Sequence, residues 1–217
     1  MATFLERSSK KHGTIGAPAP VVPTVIVDAF SLARARPSPA AADAFRTLAL
    51  TVDRLLEESH LMSVAVMSAR RGDGRSLTAE LLALALSEVR APVRLLDADP
   101  FDATVKDAVI ALDLVDEPSA GPSYEVLTLG QSLFSNQRDY LSATKTLLHR
   151  ANEGGATVVI DVPACEASSI GFSVARMASC ALYVARPDQQ EAALHAQIRA
   201  QLDLLGVHLL GVVFNER

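Results

Sequence analysis

The chain has no tryptophan, only two cysteines among 217 residues, and an aromatic content of 5%. Cys165 and Cys180 have neither CxxC spacing nor metal-ligand company, which excludes a disulfide scaffold and a thiolate zinc site. No apolar run approaches the roughly 18–20 residues that would cross a bilayer, and no N-terminal stretch has the form of a secretory signal. Basic excess is missing too. The formal net charge is −5, so nucleic acid is not expected as a partner, because binding a phosphate backbone needs a basic stripe. With glycine and proline at 11 each, collagen-like and low-complexity classes are also out. These absences lead us to expect a soluble, cytoplasmic protein.

Against them stands a hydrophobic content of 49%, enough at this length to bury one sizeable core. The basic residues are skewed, 16 Arg to four Lys (Lys10, Lys11, Lys106 and Lys145). Residues 1 to about 40 hold five of the eleven prolines, with Arg7, Lys10, Lys11, Arg34 and Arg36 against Glu6 and Asp28. We read residues 1–37 as a flexible, mildly basic tail, with a short edge strand at residues 25–27, and residues 38–217 as a single domain.

Beyond the tail, helical and strand patterns alternate. Residues 41–58 carry Ala44, Phe45, Leu48, Val52, Leu55 and Leu56 at helical spacing behind a Ser38 or Asp43 cap. Short apolar runs at 63–68, 93–97, 125–129, 157–161, 181–185 and 208–214 read as strands; residues 76–89, 104–112, 137–152 and 188–205 read as helices. Continuous apolar strands separated by helices predict an α/β fold, a mostly parallel sheet covered by helices on both faces. In such sheets ligands sit beyond the carboxyl ends of the strands, so the strand exits carry the candidate chemistry: residues 68–76, Asp97-Ala98-Asp99, Asp161-Val162-Pro163, Arg186-Pro187-Asp188 and Asn215.

The first of these exits, Ser-Ala-Arg-Arg-Gly-Asp-Gly-Arg-Ser, suits a phosphate. Glycines let backbone N–H groups turn inward, a cation meets the β/γ-phosphates, and a hydroxyl opening the helix holds Mg²⁺. Gly72, Gly74 and Ser76 meet those needs, while Ala69 replaces the first glycine of the strict P-loop pattern and Arg75 its lysine. The carboxylates of Asp97 and Asp99 are hard oxygen ligands of the kind a phosphate-bound Mg²⁺ prefers, and Asp161 supplies a further carboxylate behind them.

The order AFRTL (residues 44–48), SARRGDGRS (68–76), VRLLDADP (93–100), VVIDVPA (158–164), YVARPDQ (183–189) and LLGVVFN (209–215) resembles the bacterial tyrosine kinases of capsule and exopolysaccharide synthesis. Those kinases fall within the deviant Walker A P-loop group that also holds the Min and ParA ATPases. AFRTL is the most specific piece, present in the kinases and absent from the partition ATPases. The resemblance implies ATP and Mg²⁺ as cofactors. Gly72, Asp73, Gly74, Arg75, Ser76 and Leu77 would cradle the phosphates, Asn215 would contact the adenine, and Ser76, Asp97 and Asp99 would place the metal. Arg75, Asp97, Asp99 and Asp161 would form the catalytic set. Because an arginine head is longer and planar where the family has a lysine, phosphoryl transfer is expected to be weak or absent. The Glu-x-x-Arg-x-x-Arg assembly motif of the kinases survives only as Asp43, Arg46 and Ala49. Tyr124, Tyr140 and Tyr183 all fall within the fold, so a tyrosine-rich acceptor tail is not expected. Further implications are docking on a cytoplasmic segment of a membrane polysaccharide co-polymerase, a peripheral place at the inner membrane through that partner, and self-association. The alternatives are a non-catalytic scaffold of the same fold and a Min/ParA-like positioning ATPase.

Overall fold

The computed structural model describes residues 24–28, 38–99, 123–128, 136–166, 168–186 and 192–215. Their strands form one seven-stranded sheet in the order β1-β4-β3-β5-β2-β6-β7. Strands β2 (Ser63–Ser68), β3 (Val93–Asp97), β4 (Ser123–Thr128), β5 (Thr157–Asp161), β6 (Cys180–Ala185) and β7 (Leu209–Phe214) run parallel. The N-terminal β1 (Thr24–Asp28) adds an antiparallel edge beside β4, so the short edge strand expected around residues 25–27 is present and slightly longer. The remainder of the expected tail and the expected helix at 104–112 lie outside the described residues.

Period-two alternation decides which helices each strand side chain meets. Val64 and Val66 of β2, Leu95 of β3, Val159 of β5 and Leu182 of β6 face α1 (Pro39–Ser59) and α2 (Arg75–Val89). Ala65, Met67, Leu96, Ile160 and Tyr183 face the other way, onto α3 (Gln137–Asn152), α4 (Ile170–Ala175) and α5 (Ala192–Leu204). Two apolar layers thus sandwich the sheet, which is why the central strands read as unbroken hydrophobic runs.

Local chemistry sets the helix ends. Ser38 caps α1 by accepting the Ala41 N–H at 3.2 Å, with Pro39 in the first turn, and the helix stops at His60 in the left-handed region. Its buried stripe, Ala49, Val52 and Leu56, packs on α2. Arg46 reaches Glu88 of α2 at 2.9 Å, and Arg90 reaches Asp53 at 2.6 Å. Of the three assembly-motif positions, Ala49 is buried in this packing, whereas Arg46 makes its ion pair at the surface with its side chain 55% exposed. Asn136 caps α3 by accepting the Asp139 N–H at 3.0 Å, and His149 and Arg150 in its last turn complement the helix dipole. Helix α4 has no counterpart in the sequence reading. It is a six-residue element, too short to show helical periodicity.

Candidate functional site

The three exits that carry the candidate chemistry are neighbours because β3, β5 and β2 are consecutive in the sheet. Backbone bonds stitch them together. Ala98 N–H donates to the Asp161 carbonyl at 2.9 Å, Val162 N–H to Val66 at 3.3 Å, and Cys165 N–H to Ser68 at 3.0 Å. The Tyr140 hydroxyl of α3 donates to the Ala98 carbonyl at 2.6 Å and so fixes the turn between Asp97 and Asp99. Burial, with some repulsion from Asp97, Asp99 and Asp161, holds that phenol above its ordinary pKa, and it stays a donor. Sequence reasoning missed this role. Tyr140 reads as one more apolar position on the inner stripe of α3, and only the tertiary fold reveals its partner.

The loop from β2 to α2 closes on itself before it meets anything else. The Asp73 carboxylate accepts the Arg70 N–H at 2.8 Å, and the Ser68 hydroxyl donates to the Arg70 carbonyl at 2.9 Å. Gly74 opens α2 with φ at 91°, a left-handed conformation, and an added Cβ there would lie 2.1 Å from the Asn215 side-chain nitrogen. Glycine is thus required on two counts, conformation and space. No side chain caps α2, so the N–H groups of Arg75, Ser76 and Leu77 have no intrahelical acceptor. Gly72, also at positive φ, is exposed, and Leu77 is half-buried.

Arg75 turns inward. Its Nε donates to Asp161 at 2.5 Å and its Nη2 to Asp99 at 2.7 Å, all three side chains being at most 5% exposed. The same Nη2 also donates to the Ser76 hydroxyl at 3.3 Å. Burial opposes the guanidinium charge, but Asp161 and then Asp99 more than offset it, so its pKa rises. Burial likewise raises the Asp161 pKa, and Arg75 draws it partly back, with help from a hydrogen bond to Ser76.

The structure therefore brings Arg75, Ser76, Asp99 and Asp161 into one cluster. Asp97 lies beside it, its carboxylate accepting the Asp99 N–H at 3.1 Å. The ligands expected for Mg²⁺ are already engaged within the chain: Ser76 and Asp99 with the guanidinium, Asp97 with the Asp99 backbone. Among the described residues, no group of three or more His, Cys, Asp or Glu could by itself hold a metal ion. Asn215 lies against the loop. Its amide donates to the Asp73 carbonyl at 2.9 Å and covers Gly74.

No family model and no curated protein matches the chain. Solved structures do. The kinase domain of Escherichia coli tyrosine kinase ETK superposes with a TM-score of 0.70 at 22% identity, over 85% of this chain and 78% of that one. The chimerical protein CapA2B2 gives 0.67 at 19% identity, over 86% and 89%. The fold is that of the bacterial tyrosine kinase domains. The tyrosine-kinase fold is shared more loosely with the septum site-determining protein MinD of Pyrococcus horikoshii, solved with Mg-ADP, at a TM-score of 0.54 and 16% identity over 70% of this chain and 69% of that one. Within the kinase-domain fold, the loop of residues 68–76 and the exits of β3 and β5 stand at the carboxyl edge of the sheet, where open α/β sheets hold ligands. Among the described residues no helix is long and apolar enough to cross a membrane.

Proposed function

We propose that this protein is a nucleotide-binding, kinase-like P-loop protein whose capacity for phosphoryl transfer is weak or absent. The observation that carries the reading is the buried Arg75 guanidinium between Asp99 and Asp161 at the uncapped start of α2. Uncapped N–H groups at a helix N-terminus, following a glycine turn, favour a phosphate. Residues 72–77 would hold the phosphates of ATP or ADP, with Asn215 at the entrance towards the base. Transfer is a different demand. The P-loop lysine of active enzymes serves as a compact charge that follows the moving phosphoryl group. Arg75 is instead committed to two carboxylates and cannot follow without breaking both bonds.

Fold and resemblance together support a role in exopolysaccharide or capsule production, with a cytoplasmic segment of a membrane co-polymerase as partner. Ring assembly through α1 has less support, because Ala49 is buried against α2 of the same chain. The test is titration calorimetry with ADP and ATP, alongside a radiolabelled transfer assay. We expect saturable nucleotide binding with turnover well below that of an ordinary kinase, about 1–100 s⁻¹. Turnover within that range would overturn the weak-transfer reading. Absence of binding to either nucleotide would leave the scaffold alternative.

A further inference from the structure

We infer that the loop takes its phosphate-bearing ligand without a divalent cation, the Arg75 guanidinium supplying the charge that a metal would bring; this deepens, and rests on, the nucleotide-binding reading above. Three observations carry it.

The first is the donor set. A magnesium ion needs oxygen ligands with free lone pairs in near-octahedral array. Here Asp99 and Asp161 direct oxygens at Nη2 and Nε of Arg75, at 2.7 and 2.5 Å, and Ser76 is drawn to the same guanidinium. A divalent ion at these oxygens would stand beside a guanidinium that already neutralises them, in an arginine side chain that is 5% exposed and held by two buried ion pairs. The expected metal does not fit this arrangement.

The second is an unspent donor. Nη1 of Arg75 is buried and has no hydrogen-bond partner. A buried, charged N–H without an acceptor is costly and points to a ligand that completes it. An oxyanion fits best, since guanidinium matches phosphate and carboxylate oxygens. Arg75 is also the first residue of α2, whose opening N–H groups are uncapped, so one phosphate oxygen on Nη1 and others on the backbone would satisfy both sets of donors.

The third is permanence. The guanidinium is a charge carried by the chain itself, fixed in place by its bonds to Asp161 and Asp99. Unlike a metal ion, this cation can be neither chelated nor exchanged. Binding should therefore be indifferent to EDTA.

The experiment is titration of the full chain with ADP and with ATP, each in EDTA and in Mg²⁺, for wild type and Arg75→Lys. Mn²⁺ serves as a paramagnetic probe of metal uptake. Wild type should bind with dissociation constants that agree within about twofold between the two buffers, and should take up no Mn²⁺ beyond what ADP alone binds in a protein-free control. Arg75→Lys withdraws the guanidinium that ties Asp99 to Asp161, so its binding should become at least about tenfold tighter with metal than without, about 1.4 kcal/mol, and Mn²⁺ should be taken up beyond the amount ADP alone binds. Wild-type binding that requires Mg²⁺ would overturn the inference while leaving the nucleotide reading intact. An Arg75→Lys protein as indifferent to metal as wild type would overturn the assignment to Arg75. Binding in neither buffer would remove the nucleotide reading and the inference with it. A thermal melt of each variant confirms that the lysine form is folded.

Discussion

Asp161 and Asp99 are nearly inaccessible to water, and a single guanidinium lies between them. Burying a carboxylate is unfavourable unless it is paired and hydrogen-bonded, so each member of this trio depends on the other two. Replacing Asp161 by Ala leaves Arg75 buried with half its compensation, and we expect a loss of about 3–5 kcal/mol in urea unfolding, the usual cost of breaking a buried pair from one side. A loss below about 1 kcal/mol would mean that the pair is not formed in solution. The pH dependence has a definite sign. Burial holds the Asp161 pKa above its ordinary carboxylate value, so between that value, about 4, and the raised native one the folded chain binds a proton that the unfolded chain has released. Over that window this residue makes stability fall as pH rises. Asp161→Asn removes the titration, and because wild type, with its pair intact, is the more stable form, the difference in urea midpoint between the two should widen as pH is lowered through the window. A difference that is flat or narrows would contradict the assignment.

Helix α4 illustrates what an element can owe to one position. Gly171, in its first turn, lies so near the β5 exit that an added Cβ would approach the Pro163 carbonyl oxygen to 2.4 Å. The obstacle is backbone, so Gly171→Ala must push α4 away from Pro163. We expect about 1–3 kcal/mol of destabilisation, the usual range for overpacking. Gly211→Ala in β7, where nothing lies within 4 Å of the added carbon, is the control and should be near neutral in the same thermal melts. The element scale also shows what the sequence made legible. α1, β2, α2, β3 and β5 are long or apolar enough for their period to be read, and their order places the loop and the acidic exits together. α4, with six residues, offers no period to read. The inward turn of Arg75 was equally hidden, because its partners are 24 and 86 residues away and their nearness depends on strand order.

For the whole molecule, β5 is the centre. It lies between β3 and β2, every residue in it is buried, and both apolar layers touch it. Native-state hydrogen exchange should find its amides and those of β2 the slowest, opening only with global unfolding, whereas β1 and β7 at the two edges exchange first. Faster exchange in β5 than in β7 would show that the sheet does not unfold around this centre. The same strand order bears on how the chain is made. Synthesis delivers β2 with its loop, then β3 and β4, yet β2 and β3 are not neighbours in the finished sheet, because β5 separates them. Until the ribosome has supplied β5, the earlier strands have no complete edge to close on, and Arg75 awaits a carboxylate that lies 86 residues downstream. A nascent chain halted before Thr157 would hold every residue of the phosphate loop and still lack the strand that joins it to Asp99, so the loop meets its carboxylates only after β5 has been made.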